Sequence, residues 1–461
     1  MSDVPPEHGA PEPAPPPTVH GPVVRRPDWR DRFVRALTEG RRRPGPAPVD
    51  PPTSEVDPDL VPLLTRLGAG LLDAGQATNE VEDALRQVSH DRGDTEIRSF
   101  VVPTGVLIQV DEPAGVRTYY EGSTGSGFRL DQVAALDHLV DDLSADRVGL
   151  HDARMRMAAI EVSPPRFGPV VAVLGHALLS MGFALCQQPT LSAVLGVALL
   201  GALVGAARVA VPGGSSIATA LPVLASFVVT LLAIGVLGPW LHAGAIDLIV
   251  PPLISLLPGG ALTTATLELT HNQIVSGASR LVFGLAQLLL LAFGVVAGIT
   301  VLGAPDHTVG EFLPAWVPYV GVALVACGDV LYQSAPRHSL GWIALTLYAA
   351  FVAQAVGAVV LSPQLSGFLG GFALVVVARL IARSPERPSR LVTALPGFWL
   401  LVPGSLGFLG VSEVITSGAE AITQLVDMVL ALFSIALGIL TGTAASRQAS
   451  TITRSLTGRR R

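Results

Sequence analysis

The sequence predicts a polytopic α-helical membrane protein with ten transmembrane helices, arranged as two inverted five-helix repeats, and a small cytoplasmic α+β domain. The first observation behind this prediction is composition: only 14% of the 461 residues are charged and the mean hydropathy is +0.53, whereas soluble proteins average about 25% charged residues. The second is that residues 168–445 carry only 7 Arg and 9 acidic residues, too few to cover a soluble core of that size. The third is a motif that recurs at an offset of 145 residues.

The polar N-terminal part divides into a tail and a domain. Residues 1–55 are rich in Pro, Ala and charge, which predicts a disordered tail. Residues 56–165 predict the α+β domain. Its first two helices begin near Leu60 and Thr78; Gly75 ends the first, and Thr78 caps the second. Three predicted strands and two further helices follow, at 97–102, 106–110, 116–120, 131–143 and 146–162.

From residue 169 onward, ten apolar segments are each long enough to cross a bilayer. They are 169–187, 191–211, 217–238, 244–270, 276–302, 314–334, 339–360, 365–383, 391–411 and 420–444. The loops after the odd-numbered segments contain no Arg, whereas the opposite face carries Arg166, Arg208, Arg280, Arg337, Arg383, Arg387 and Arg390. The positive-inside rule therefore predicts a plasma-membrane protein whose termini, including the basic tail 446–461, are both cytoplasmic.

The recurring motif has the pattern Pro-x6-Pro-Gly-x8-Glu. It occurs first at Pro251, Pro258, Gly259 and Glu268, and again at Pro396, Pro403, Gly404 and Glu413. The same offset places the first apolar segment on the sixth and the fifth on the tenth, so residues 166–302 and 311–445 form two related halves. Because five is odd, the second half enters the membrane from the opposite face. Inverted repeats with interrupted helices are typical of secondary transporters.

The Pro-Gly pairs predict the substrate site. Proline removes a helical hydrogen bond, and the glycine after it lets the backbone leave helical geometry. The N–H groups freed at the start of a half-helix favour a carboxylate. The predicted substrate-binding residues are Pro258, Gly259, Gly260, Thr263, Thr264, Pro403, Gly404 and Ser405. Ordinary proline kinks, accommodated by packing, are the alternative interpretation.

Ionisable residues within or beside the apolar segments are candidates for gating or proton coupling. They are Glu268, Glu413, Asp329, Asp427 and His176. Interfacial acids, and a packed, hydrogen-bonded histidine, are the structural alternatives. Arg208 and Arg280 are interpreted as anchors at the cytoplasmic face, with carboxylate pairing as their second interpretation.

Several function classes are excluded by what the sequence lacks. It contains no nucleophile–base motif, no metal-ligand spacing and no phosphate-binding loop, which predicts no catalytic residue, no metal, no cofactor and no ATP-driven transport. It offers no basic groove for nucleic acid. The predicted partners are a small-molecule substrate and the lipid bilayer, and a homo-oligomer is left open.

Four segments carry a resemblance to a known family. They are GLLDAGQATNEVEDAL (70–85), FVVPTGVLI (100–108), LLPGGALTTAT (256–266) and LVPGSLGF (401–408). Together they resemble the threonine/serine exporter family, which includes a two-protein form implicated in succinate export. The soluble motif of that family usually reads Gly-Ala-Glu-Thr-x-Arg-Val-Glu; residues 75–82 read Gly-Gln-Ala-Thr-Asn-Glu-Val-Glu, so Glu80 stands where the family has Arg.

The resemblance implies a proton-coupled secondary exporter of threonine or serine. Three other functions stay open at this point: export of succinate-like dicarboxylates, a passive channel, and a membrane-anchored hydrolase that acts through the cytoplasmic domain.

The Arg-free loops make the topology testable. In a background with Cys186 and Cys327 replaced by Ala, Thr308→Cys should react with an impermeant maleimide added to intact cells. Ser384→Cys should react only after the cells are permeabilised. The reverse pattern would contradict the orientation, and labelling of both positions in intact cells would contradict the number of spans.

Overall fold

The structure is a computed structural model. It describes residues 57–457 except 93–96, 113–114, 126, 188–189, 214, 304–312, 385 and 402–420. The predicted tail 1–55 therefore lies outside the described residues. The described chain forms an α+β domain and then a helical bundle.

The α+β domain contains four helices and a three-stranded sheet. Its elements are α1 (Leu60–Asp73), α2 (Thr78–Asp91), β1 (Arg98–Val102), β2 (Gly105–Glu112), β3 (Gly115–Gly122), α3 (Leu130–Ser144) and α4 (Leu150–Glu161). The strands are antiparallel in the order β1-β2-β3, and Val102 pairs with Gly105 at the first turn. One face of β2 is buried against the leucines of α1, because Val106 and Ile108 alternate with more exposed neighbours. The small sheet that the sequence predicts is confirmed.

A glycine turn joins α1 to α2. Gly75 adopts a φ of +83°, a left-handed conformation that glycine tolerates without strain. The N–H groups of Ala74, Gly75 and Gln76 donate to carbonyl groups in the last turn of α1, which closes the helix. The turn brings the start of α2 close to the bundle, since a Cβ on Gly75 would contact Leu395.

Twelve further α-helices of the described residues form the bundle. They are α5 (Pro169–Cys186), α6 (Leu191–Ala210), α7 (Ser216–Leu232), α8 (Gly238–Leu241), α9 (Ala245–Ile249), α10 (Gly259–Thr270), α11 (Ile274–Leu302), α12 (Val317–Tyr332), α13 (Leu340–Val360), α14 (Ser366–Ile381), α15 (Arg390–Leu400) and α16 (Ala421–Thr457). A π-helical segment, Ala233–Leu237, joins α7 to α8, and a 3₁₀ helix, Pro251–Leu256, precedes α10.

Six helices among the described residues have the length and apolarity to cross a membrane, which makes the chain a polytopic membrane protein. They are Pro169–Cys186, Leu191–Ala210, Ser216–Leu241, Ile274–Leu302, Leu340–Val360 and Val429–Ser446. Helices α12 and α14 are apolar but have 16 residues each, about 24 Å at 1.5 Å per residue. The predicted fourth segment, 244–270, is interrupted, and the predicted ninth is described only as far as Leu401.

Glycines let α5 and α12 pack with their backbones in contact. A Cβ on Gly175 would lie 2.6 Å from the amide nitrogen of Tyr332, and one on Gly182 would lie 2.5 Å from that of Val325. The residue numbers run in opposite directions along the contact, so the two helices are antiparallel. Membrane helices use small residues in this way because lipid supplies no hydrophobic force to press them together.

A second packing pattern occurs twice. Gly294 and Gly298 of α11 face α7, where a Cβ on Gly298 would lie 2.7 Å from Thr230. Gly438 and Gly442 of α16 face α14, where a Cβ on Gly442 would lie 2.9 Å from the carbonyl oxygen of Phe372. Each pair is separated by four residues, and in both cases the packed helices run in the same direction. The first and the second half of the bundle therefore contain the same type of glycine-mediated helix contact.

Candidate functional site

The helix interruption lies at Leu257–Pro258. The 3₁₀ helix ends at Leu256, Leu257 is extended with φ −71° and ψ 131°, and α10 begins at Gly259 with Pro258 as its N-cap. Since Pro258 is the N-cap, the first-turn N–H groups of α10 have no helical acceptor. A short half-helix therefore starts inside the bundle, and its first N–H groups need acceptors from outside the helix.

A cavity of about 420 Å³ lies between the α+β domain and the bundle, and is called the interdomain cavity below. Ligand pockets typically occupy about 300–1,000 Å³. The domain contributes Asp73, Phe128 and Arg129 to its lining; the bundle contributes Arg208, Gly260, Asp329, Tyr332 and Trp399. The start of the half-helix thus shares one cavity with an intramembrane carboxylate.

Asp329 is the deepest charged residue of this cavity. Its side chain is 1% exposed, and its Oδ2 has no hydrogen-bond partner among the described residues. One helical turn later, the Tyr332 hydroxyl accepts a hydrogen bond from Arg208 Nε at 3.2 Å. An ionised carboxylate without a partner is costly at this depth.

Glu268 joins the bundle to the α+β domain. It is completely buried on α10, and its Oε1 accepts the backbone N–H of Thr78 at 2.9 Å and Nε of Arg280 at 3.1 Å. Arg280 also donates to the carbonyl oxygen of Gln76 at 3.3 Å. A carboxylate from a helix of the bundle therefore binds the positive N-terminus of α2.

This contact corrects the prediction that Thr78 caps α2. The N-cap residue is Ala77, whose side chain has no acceptor, and Thr78 is the first helical residue. The Thr78 hydroxyl is buried and has no hydrogen-bond partner in the described part of the chain. The expectation was wrong because it considered only local capping, whereas the acceptor comes from Glu268, 190 residues away.

Glu80 makes a second link between domain and bundle. Arg390, the first residue of α15, donates through both terminal nitrogens to the two oxygens of Glu80, at 3.1 Å each. Bidentate pairs of this kind fix orientation as well as charge. Arg280 and Arg390, which the sequence assigns to one face of the membrane, thus contact the α+β domain directly.

The chain matches the sequence model of one protein family. That family, ThrE, is described as "Putative threonine/serine exporter", and the match extends over residues 62–302. The protein belongs to the ThrE family. The matched region includes the α+β domain, the interruption at Pro258 and the Glu268 contact. Searches of curated proteins and of solved structures find no match.

The other predicted substrate residues of this ThrE protein are distributed unevenly. Gly260 lines the interdomain cavity. Thr263 and Thr264 are buried further along α10. The predicted residues of the second half (Pro403, Gly404, Ser405 and Glu413) lie outside the described residues. Asp427 is partly exposed on α16, away from the cavity.

His176 is a fully buried residue with both ring nitrogens engaged. Nδ1 lies 2.7 Å from the carbonyl oxygen of Gly201, and Nε2 lies 2.8 Å from the Ser255 hydroxyl. A neutral ring satisfies both contacts, with Nδ1–H donating and Nε2 accepting. The ring also packs edge-on against Tyr332. His176 therefore connects α5 to the 3₁₀ helix just before the interruption.

Three residues that line the cavity were not predicted from the sequence. Phe128 and Arg129 reach the cavity from the segment before α3, and Trp399 reaches it from α15. None of the three belongs to a recognisable motif. Arg208 was the sequence feature that could have indicated this site, because it is an arginine close to the end of an apolar segment and carboxylate pairing was its second interpretation.

The first prediction from this geometry concerns the Glu80–Arg390 pair. Glu80→Arg should lower the thermal unfolding midpoint in detergent and expose the α+β domain to protease, because two cations would then meet. The cost should be about 1 kcal/mol or more, since the pair is only partly exposed. The double variant Glu80→Arg, Arg390→Glu should recover part of this loss. Arg147→Glu is the control, as it breaks a pair within the domain; equal protease sensitivity in both single variants would contradict interdomain docking.

The second prediction concerns Asp137, on α3 opposite Ser389. Burial raises the pKa of Asp137 to about 6, against a lowering by the Ser389 hydrogen bond and by Arg390. The folded state then binds more protons than the unfolded state between about pH 4 and 6. The free energy of unfolding therefore falls as pH rises through this range and stays at its lower value above it. Asp137→Asn should remove this slope and raise stability at pH 7.5 by at most about 3 kcal/mol.

Thermal unfolding between pH 4.5 and 8 tests the Asp137 prediction. Asp152→Asn, on an exposed residue of α4, should retain the wild-type slope. An unchanged slope in Asp137→Asn would show that this carboxyl is not the group responsible.

Proposed function

We infer that the protein is a secondary active exporter of small polar metabolites, with threonine and serine as its substrates and the proton gradient as its energy source. The observation that carries this proposal is membership of the ThrE family over residues 62–302. Dicarboxylates of the succinate type are the second substrate class. In this proposal the substrate enters from the side of the α+β domain, through the interdomain cavity.

The proposed architecture is ten spans in two inverted repeats. The antiparallel contact of α5 with α12 supports it, because these helices occupy equivalent places in the two halves. The repeated glycine contacts, of α11 on α7 and of α16 on α14, support it as well. Two related halves that pack alike have two equivalent arrangements, which is the basis of alternating access.

The proposed orientation puts the α+β domain and both termini in the cytoplasm of the plasma membrane. Its support is that Arg280 and Arg390 lie where the domain contacts the bundle. Positive residues favour the cytoplasmic side. A substrate cavity at this interface is then open to the metabolite pool that an exporter must reach.

The proposed substrate site is built on the interrupted helix: Pro258, Gly259, Gly260, Thr263 and Thr264 in the first half, with Pro403, Gly404 and Ser405 in the second. Glu268 serves as a gate in this proposal, since its release would free α2 from the bundle. Asp329, Asp427, His176 and Glu413 are the proposed proton-coupling residues.

Efflux from proteoliposomes tests the proposal. The vesicles contain labelled threonine, serine or succinate at the same concentration inside and outside. When a pH difference is imposed, they should expel the two amino acids against the resulting concentration gradient, and an uncoupler should abolish this movement. Transport that is unaffected by the uncoupler would make the protein a passive pathway. Efflux of succinate without efflux of either amino acid would assign the protein to the second substrate class.

Gly260→Ala tests the site within the same assay. Apart from the adjoining part of α10, no atom of the described residues lies within 4 Å of a Cβ at this residue, so folding should be unaffected while a methyl group enters the cavity. Export should fall by about 10- to 100-fold, as small displacements of a bound substrate are costly. Gly341→Ala, at an equally open residue of α13, is the control. Wild-type export in Gly260→Ala would show that the start of α10 is not part of the substrate site.

A further inference from the structure

We propose that the interdomain cavity binds an α-amino acid as its zwitterion, with Asp329 holding the ammonium group and Arg208, together with the first turn of α10, holding the carboxylate. This inference rests on the proposed export function and names the substrate chemistry of the same site.

Two of the four charged residues in the cavity lining are already satisfied by the α+β domain. Asp73 accepts hydrogen bonds from Ser123 Oγ at 2.6 Å, from Thr124 N at 3.1 Å and from Gly125 N at 3.0 Å. Arg129 pairs with Asp131 at 3.0 Å. These contacts fix the loop before α3, so neither side chain is available to a ligand without breaking the domain's own structure.

The remaining two charged residues, Asp329 and Arg208, carry opposite charges and do not pair. Asp329 is 1% exposed, and no group of the described residues forms a hydrogen bond with its Oδ2. Arg208 donates to the Tyr332 hydroxyl and forms no ion pair with a described carboxylate. A buried, unpaired carboxylate is unfavourable by several kcal/mol. A ligand with a cation at one end and an anion at the other satisfies both residues at once.

The backbone favours the same orientation of the ligand. Gly260 lines the cavity in the first turn of α10, and the space beyond its Cα is open for at least 4 Å. The N–H groups of this turn have no helical partner, and a helix N-terminus favours negative charge. The substrate carboxylate is therefore directed toward Gly260 and Arg208, and its ammonium group toward Asp329.

Asp329 also decides between the two proposed substrate classes. A dicarboxylate in this cavity would bring a second anion against a buried carboxylate, where like charges repel strongly in a low dielectric. An amino acid brings a primary ammonium group, which can donate three hydrogen bonds. The cavity therefore favours serine and threonine over succinate.

Equilibrium binding to the purified full-length protein in detergent tests this inference separately from transport. Labelled serine is displaced by unlabelled serine, by glycerate, which has a hydroxyl in place of the ammonium group, by ethanolamine, which lacks the carboxylate, or by succinate. The wild-type protein should prefer serine over each of the other three by about 10- to 100-fold, the range expected for loss of one charged hydrogen bond. Displacement by glycerate at the same concentration as serine would overturn the role of Asp329.

The variants separate the two ends of the ligand. Asp329→Asn should weaken serine binding by a similar factor, abolish the preference over glycerate and raise the thermal unfolding midpoint, since a buried unpaired charge is removed. Arg208→Gln should weaken serine binding and abolish the preference over ethanolamine. Asp247→Asn and Arg337→Gln, which do not line the cavity, should bind as the wild type does.

The outcomes distinguish this inference from the proposed function. Serine binding at wild-type affinity in Asp329→Asn and Arg208→Gln, together with export in proteoliposomes, would overturn the zwitterion site and leave the exporter proposal intact. Serine binding that depends on both residues, without movement of any amino acid in vesicles, would support the site and overturn the exporter proposal.

Discussion

The most deeply buried polar link between the α+β domain and the bundle is the carboxylate of Glu268. It binds the N-terminus of α2 and is held in turn by Arg280, so a helix of the domain is completed by a residue of the bundle. Removing one partner of such a buried pair typically costs about 3–5 kcal/mol. One helix, α10, thus carries Glu268 near one end and the Pro258 interruption at the other, and connects the domain contact to the start of the half-helix.

Close backbone packing provides the rigid frame around this link. The glycines of α5 and α12 bring the two backbones into contact, and His176 connects α5 to the segment just before the interruption. Interiors this dense respond to a ligand by shifting between discrete arrangements. The residues around the cavity are thus held by closely packed helices.

The sequence predicted much of the fold because the signals were local. Alternation in residues 106–110, the glycine at 75 and the Pro-Gly pair at 258–259 each act on the backbone around them, and the structure has a strand, a left-handed turn and a helix start at these points. The assignment of Thr78 as a cap failed because a distant carboxylate supplied the acceptor. Glu80 departs from the family motif, and only the structure shows that it pairs with Arg390.

The sequence by itself determined that the chain is a polytopic membrane protein with a polar N-terminal domain and a broken helix at Pro258, since hydropathy, charge distribution and proline sterics need no knowledge of distant contacts. Only the tertiary structure decided which charged residues meet. Asp329 and Arg208 are 121 residues apart, and Asp73 and Phe128 belong to a different domain, yet all four line one cavity. The physical reason is that ion pairing and cavity formation depend on how helices pack across the bundle, and spacing along the chain carries no record of that packing.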